Sequence, residues 1–248
     1  MTDAPVSPPP TLGLFARTVG VVTSPAATFA DVVRSPQPAA ILLIVSAVIA
    51  IAVTVPQMTE RGRQAALDMQ VRMMEGMMGP LDDDVYTQLE ERSHSNSGHV
   101  LRIIGTFIWM PIMATFFAAL FWGLFNVLFG GGATFKQVLG IVTHSMVIMA
   151  LGAAVTAPIQ MMQTTFTLTG PFNLGVLVPM LDPESFVARF LSWTSAITIW
   201  QTIVLAIGLG VLYKRKSTGI AIGLLVAYGL LVAVGVAIFS AIMSRIAA

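Results

Sequence analysis

The sequence predicts an all-α membrane protein: a five-transmembrane-helix bundle with N-terminal interfacial amphipathic helices and a helical extramembrane loop between the first two spans. Three observations predict it. Hydrophobic residues make up 56% of the 248 residues and charged residues only 10%, whereas soluble domains carry roughly 25% charged residues. Mean hydropathy is +0.83. The apolar residues also gather into runs close to the roughly 20 residues that a helix needs to cross a hydrocarbon core about 30 Å thick.

Residues 1–10, MTDAPVSPPP, are polar and proline-rich, a composition that predicts a disordered tail. They lack the basic n-region of a signal peptide, so the first apolar run is expected to stay as an anchor. In residues 11–36, Leu12, Phe15, Val19 and Val22 recur at helical spacing, and Phe29, Val32 and Val33 follow in a second short segment. Pro25 and Pro36 break these segments, which are too short to span and predict helices lying along the interface. Ser24 before Pro25 and Ser35 before Pro36 read as helix starts, a cap and then proline in the first turn.

The membrane domain is expected over residues 37–248, with spans at 39–56, 101–129, 138–162, 193–213 and 220–243. Between the first two lies the polar stretch 57–100. Its first half places Leu67, Val71, Met74 and Met78 near one helical face, with arginines and acids on the other, and this face is the candidate surface for a partner. Gly79 and Pro80 break the helix, and Asp82 to Asp84 begin a second one. The thioethers of Met69, Met73, Met74, Met77 and Met78 would suit Cu(I). They are mixed with Arg72 and Glu75 and have no cysteine beside them, which favours packing or partner contact. His94 and His99, five apart in a Ser/Asn/Gly cluster, lack the i, i+4 spacing of a helical metal pair and read as surface residues.

The turn "FGGGATFKQ" raises the question of a phosphate loop. Such a loop needs GxxxxGK[ST] between a strand and a helix. Here the glycines follow an apolar helix, and Lys136 has no glycine before it. The glycines therefore end one span and Thr134 caps the next. Lys136 anchors that turn at the headgroups, and Lys214, Arg215 and Lys216 in "YKRKSTGIA" do the same before the last span. With the N-terminus inside, the inner face collects Arg17, Arg34, Lys136 and Lys214 to Lys216, and the short outer segments hold Arg189 and Arg245. Despite five arginines in the first loop, the short loops predict a cytoplasmic N-terminus and an outer C-terminus.

Within the spans His144 is the clearest ionisable group, with Asn126, Gln160, Gln163 and Gln201 as neutral companions. Intramembrane polar groups are functional candidates. His144 could relay a proton or hold a headgroup, and the simpler expectation is a hydrogen bond across helices near Asn126. No HExxH, GxSxG or paired intramembrane carboxylates appear, and no cysteine is present. Asp182 and Pro183 read as a helix start. The segment after Pro158, through residues 164–180, is expected to dip into the outer leaflet. Gly208 and Gly210, with the GxxxG pair Gly219 and Gly223, are expected to seal the last two spans together.

The stretches "TSPAATFADVVRSP", "GGGATFKQVLGIVTHSMV" and "NLGVLVPMLDPESFVARFLSWTSAITIWQTIVLAIGLGVLYKRKSTGIAI" resemble the Yip1 domain family of small polytopic membrane proteins. The likeness runs from Phe15 to the final span. It implies a bacterial-type integral protein of the inner membrane with five spans, and the polar loop is longer than the family pattern needs. The expected function is non-enzymatic: membrane organisation, trafficking or membrane-protein assembly. The alternative is a lipid or small-amphiphile carrier. Membrane lipid is the expected partner, with other membrane proteins as candidates, and no nucleic acid, nucleotide, metal or cofactor is called for.

Overall fold

The computed structural model describes residues 11–128, 130–162 and 170–246. The tail at 1–10, Gln163 and the first part of the 164–180 segment lie outside the described residues. Among the described residues the chain is helical apart from turns and one isolated bridge. Five of the helices are long and apolar enough to cross a membrane.

Two short helices come first, α1 (Leu14–Thr23) and α2 (Pro25–Arg34). Proline at the first helical position starts α2 as expected. Ser35–Pro36 starts nothing: the next helix, α3 (Pro38–Thr54), begins two residues later with Gln37 as its cap. Both Ser35 and Gln37 precede a proline and are turned away from helical geometry, so the chain can enter a helix only at Pro38.

Outside the spans stand α4 (Glu60–Met78) and α5 (Asp83–His94). Thr59 caps α4 by accepting from the Gly62 amide at 3.1 Å, and Gly79, at φ 87°, ends it. The second span, α6 (Asn96–Gly123), starts earlier than residue 101, because Ser95 serves as its N-cap and the Ser/Asn/Gly cluster becomes its first turn. It continues through a wider turn, Leu124–Leu128, into the triple glycine. Gly130 takes the left-handed φ of 65° that ends such a helix.

The third span, α7 (Phe135–Met162), is the central post. It packs against α3, α6, α9 and the α1–α2 pair, and its span is 67% buried against 11% for α6 and for the last helix. Its start is a reciprocal cap: Thr134 Oγ1 accepts from the Gln137 amide at 3.3 Å, and Gln137 Oε1 accepts from the Thr134 amide at 2.9 Å. The fourth span, expected from residue 193, is α9 (Ala196–Tyr213), which begins three residues later, and a separate short helix, α8 (Phe186–Trp193), precedes it. Thr194 and Ser195 are extended between them. The Leu174 amide donates to the Thr194 carbonyl at 2.9 Å, and the Ser195 amide donates to Tyr228 Oη at 3.2 Å. These partners outside the helix compensate for the break.

Asp182–Pro183 does not begin α8. Asp182 folds back to accept from the Glu184 amide, and Ser185 is the cap, accepting from Ala188 at 3.2 Å. The last helix, α10 (Ser217–Ile246), lies mainly on α9 and α8. Gly208 lies against Ile141 and Phe29, where a side chain would collide. Gly219 and Gly223 face open space, so the GxxxG pair does not seal α10 to α9.

Candidate functional site

The strongest polar arrangement is one that apolar periodicity does not reveal. Arg17 and Asp31 are the only charged residues between Leu12 and Val33, and they stand seven residues on either side of Ser24. Folding the chain at Ser24–Pro25 brings them together. Arg17 Nε donates to Asp31 Oδ2 at 2.8 Å, and Arg17 Nη1 donates to the Ser35 carbonyl at 3.0 Å. Arg34 Nη2 donates to Asp31 Oδ1 at 2.6 Å, and the Leu12 amide donates to Oδ2 at 3.2 Å. Burial alone would raise this carboxyl, but the hydrogen bonds from Arg34, Arg17 and Leu12 outweigh it and hold Asp31 below the usual carboxylate range.

Arg17 and Asp31 are buried, whereas Leu12, Phe15, Val19 and Val22 are exposed on the outside of the hairpin. An amphipathic helix at an interface turns its charges to water. The arrangement of α1 and α2 is the reverse. Its inner face is fixed to the bundle: Val32 lies beside Gly140, Phe29 beside Gly208, and Gln137 Nε2 donates to the Val33 carbonyl at 3.1 Å. On its other side, Thr18, Val22 and Thr23 share an apolar recess of about 430 Å³ with Val45, Val147 and Ala154.

His144 is fully buried in α7. Its Nδ1 meets the Gly140 carbonyl of its own helix at 2.7 Å, and Nε2 has no partner among the described residues. The expected bond across helices near Asn126 is not made. Asn126 Nδ2 instead donates to the Ala133 carbonyl at 2.8 Å, and Trp122 Nε1 donates to the same oxygen at 3.0 Å. Both side chains tie the end of α6 to the glycine turn. Gln201 is half-buried on α9, and the described hydrogen bonds do not join it to His144 or Asn126.

The glycine turn and the Lys214–Lys216 turn face each other across a cleft of about 1090 Å³. Tyr213 stacks on Phe125 with ring centroids 4.8 Å apart, and Gly131 lies so close to this ring that any side chain would displace it. Here Gly131 serves close packing on an aromatic. Lys136, at the same end of the bundle, is exposed.

On α4, the expected partner face is divided. Leu67 is buried, Val71 and Met74 are half-buried, and Met78 is 68% exposed, with Met73 and Tyr86 also exposed. His99 is a second departure from expectation. It is buried, because α4 and α5 fold over the first turn of α6 and enclose it in a recess of about 190 Å³ with Arg63, Arg92 and Arg102. His94, at the end of α5, is exposed.

A search of curated proteins returned no match, and neither did a search of solved structures. The profile of the Yip1 domain matches residues 19–239, from within α1 to near the end of α10. Since the match takes in most of the chain, with Asp31, the central post and both basic turns, the chain belongs to the Yip1 domain family.

Proposed function

We propose that this integral membrane protein is non-enzymatic and acts in membrane organisation, trafficking or membrane-protein assembly, through the α4–α5 hairpin. The observation that carries this reading is the exposure of Met73, Met78 and Tyr86 on a hairpin otherwise covered with charge. Methionine is flexible and polarizable, which suits surfaces that adapt to a partner, and exposed apolar groups on a charged element favour such contact. The test is purification of the full chain from native membranes in mild detergent with mass spectrometry. Stoichiometric membrane-protein partners lost on Met73→Ala/Met78→Ala would support the role, and an unchanged set would count against it.

In this reading the protein sits in a bacterial inner membrane with its N-terminus inside. Support comes from Arg34, Lys136 and Lys214 to Lys216 at one end of the bundle. The α1–α2 hairpin then lies in the cytoplasmic leaflet with its apolar side toward lipid. A C-terminal alkaline phosphatase fusion should be active, and an inactive but expressed fusion would reverse the orientation.

A lipid or small-amphiphile carrier is the second reading, favoured by the apolar recess between α1, α3 and α7. Reconstituted protein should then move labelled lipid between leaflets, with loss on His144→Ala. Transfer no faster than in protein-free vesicles would count against it.

A further inference from the structure

The cleft between the two turns at the basic end of the bundle has three properties that do not follow from helix packing. The first is unused charge. Among the described residues four ion pairs form, involving Arg17, Arg34, Arg63 and Arg189, and none uses Lys214, Arg215 or Lys216. All three are exposed and line the cleft. One cation at the C-terminus of α9 is accounted for by the helix dipole. Three in succession are more than that end requires.

The second is the shape of the opposite wall. Gly219, Gly223 and Ala227 follow one another at four-residue intervals on α10 and line the cleft, and a side chain built at either glycine meets nothing within 4 Å. The small residues leave an open channel running from the charged rim along a helix that is 11% buried. The third is the apolar lining, with Leu124 on one side and Leu212 and Leu224 on the other. Gly219 and Ile220 of the first turn of α10 line the rim, and a helix N-terminus favours an anion.

We propose that this cleft binds one anionic phospholipid, its phosphate held by Lys214, Arg215 and Lys216 and an acyl chain laid along Gly219, Gly223 and Ala227. Charge complementarity selects this occupant over a second copy of the chain. Two copies meeting face to face through this surface would bring like cationic rims together. The inference stands apart from both readings above, because holding a lipid requires neither a protein partner nor transport.

The test is native mass spectrometry of the full chain in non-ionic detergent, titrated with palmitoyl-oleoyl phosphatidylglycerol or the corresponding phosphatidylcholine. Phosphatidylglycerol should bind at least about tenfold more tightly, because each basic residue at an anionic lipid contributes substantially. Lys214→Gln/Arg215→Gln/Lys216→Gln should remove that preference. Gly223→Leu, which fills the channel without changing charge, should weaken phosphatidylglycerol by roughly the same factor. Both substitutions lie where the fold has room, and an unchanged melting temperature would confirm that it is kept.

Glycerol 1-phosphate, the headgroup without chains, should not compete. Equal binding of the two lipids, or retention by the triple variant, would overturn the proposal. Loss in the triple variant but not in Gly223→Leu would replace the cleft with general surface attraction and overturn it as well. Competition by glycerol 1-phosphate would make it a free-phosphate site. A dimer dissolved by Gly223→Leu would assign the channel to a second copy.

Discussion

Among the described residues two helical hairpins, α1–α2 and α4–α5, stand outside the five spans, and they are built inside out relative to one another. In α1–α2 the charged groups Arg17 and Asp31 are buried against each other, and Leu12, Phe15, Val19 and Val22 face outward. In α4–α5, Leu67 and Leu89 are buried, and Glu60, Arg61, Asp68, Glu90 and Glu91 are exposed. The same local motif has been folded for two solvents. Burying apolar groups is favourable only where water is the alternative. Turning four large apolar side chains outward has little cost where the surroundings are lipid. In the reading proposed above, the polarity of each hairpin marks its medium: lipid for the first, water for the second.

The sharpest way to break this comparison is to remove the internal charge pair. Asp31→Ala leaves Arg17 buried with only the Ser35 carbonyl, and breaking a buried pair in this way costs about 3 to 5 kcal/mol. Arg17→Ala should cost less, since Asp31 keeps Arg34. The double substitution Arg17→Met/Asp31→Leu should recover most of the loss, because it leaves no uncompensated charge. Thermal unfolding of the three variants in the same detergent reads all of these differences. Equal, small effects would mean that the pair does not hold the hairpin.

The same pair gives a pH dependence whose sign follows from the lowered pKa of Asp31. The folded protein binds that proton more weakly than the unfolded chain does, so the contribution is complete above the ordinary aspartate value near 3.8. It is lost as pH falls through that value and toward the lower folded one. Asp31→Asn should flatten this acid limb, and an unchanged limb would place the titrating group elsewhere.

A core deletion in the α4–α5 hairpin is the next largest effect. Leu67 is buried, so Leu67→Ala removes packing worth about 2 to 4 kcal/mol. The loss should be confined to the hairpin. Hydrogen exchange in α4 and α5 should quicken while α7 keeps its protection, and exchange that quickened throughout would show that the hairpin and the bundle unfold together.

Much of this architecture is legible in the sequence, because long apolar runs leave a helix no alternative inside a bilayer. The five spans, the breaks at Gly79 and at the triple glycine, and the Thr134 cap all rest on local chemistry. What was not legible depends on folding back. Apolar spacing in residues 11–36 marks one face of each helix but does not say that the opposite face carries a charge pair. The signal was there in the equal distances of Arg17 and Asp31 from Ser24. His99 sits among serines and a glycine and reads as a surface residue, until α4 and α5 close over it. Thr194 and Ser195 contain neither proline nor glycine, so only their pairing with distant backbone breaks the helix there. Polarity alone pairs His144 with Asn126, whereas one nitrogen of each meets a carbonyl close to it in sequence.

The last prediction tests the media directly by placing the same charge on both hairpins. Val22 and Met78 are both exposed, so neither substitution strains a core. If both hairpins faced water, Val22→Lys and Met78→Lys would each stay within about 0.5 kcal/mol, as surface changes do. With Val22 against lipid, its lysine must snorkel or carry water inward, which costs about 2 to 3 kcal/mol in the membrane. The difference should therefore depend on the bilayer: large for protein reconstituted in vesicles, and smaller in micelles, whose thinner apolar layer a lysine can escape. Equal stability of the two variants in vesicles would put α1 in water and remove the contrast. A penalty at Val22 alone would make the inverted hairpin part of the membrane domain.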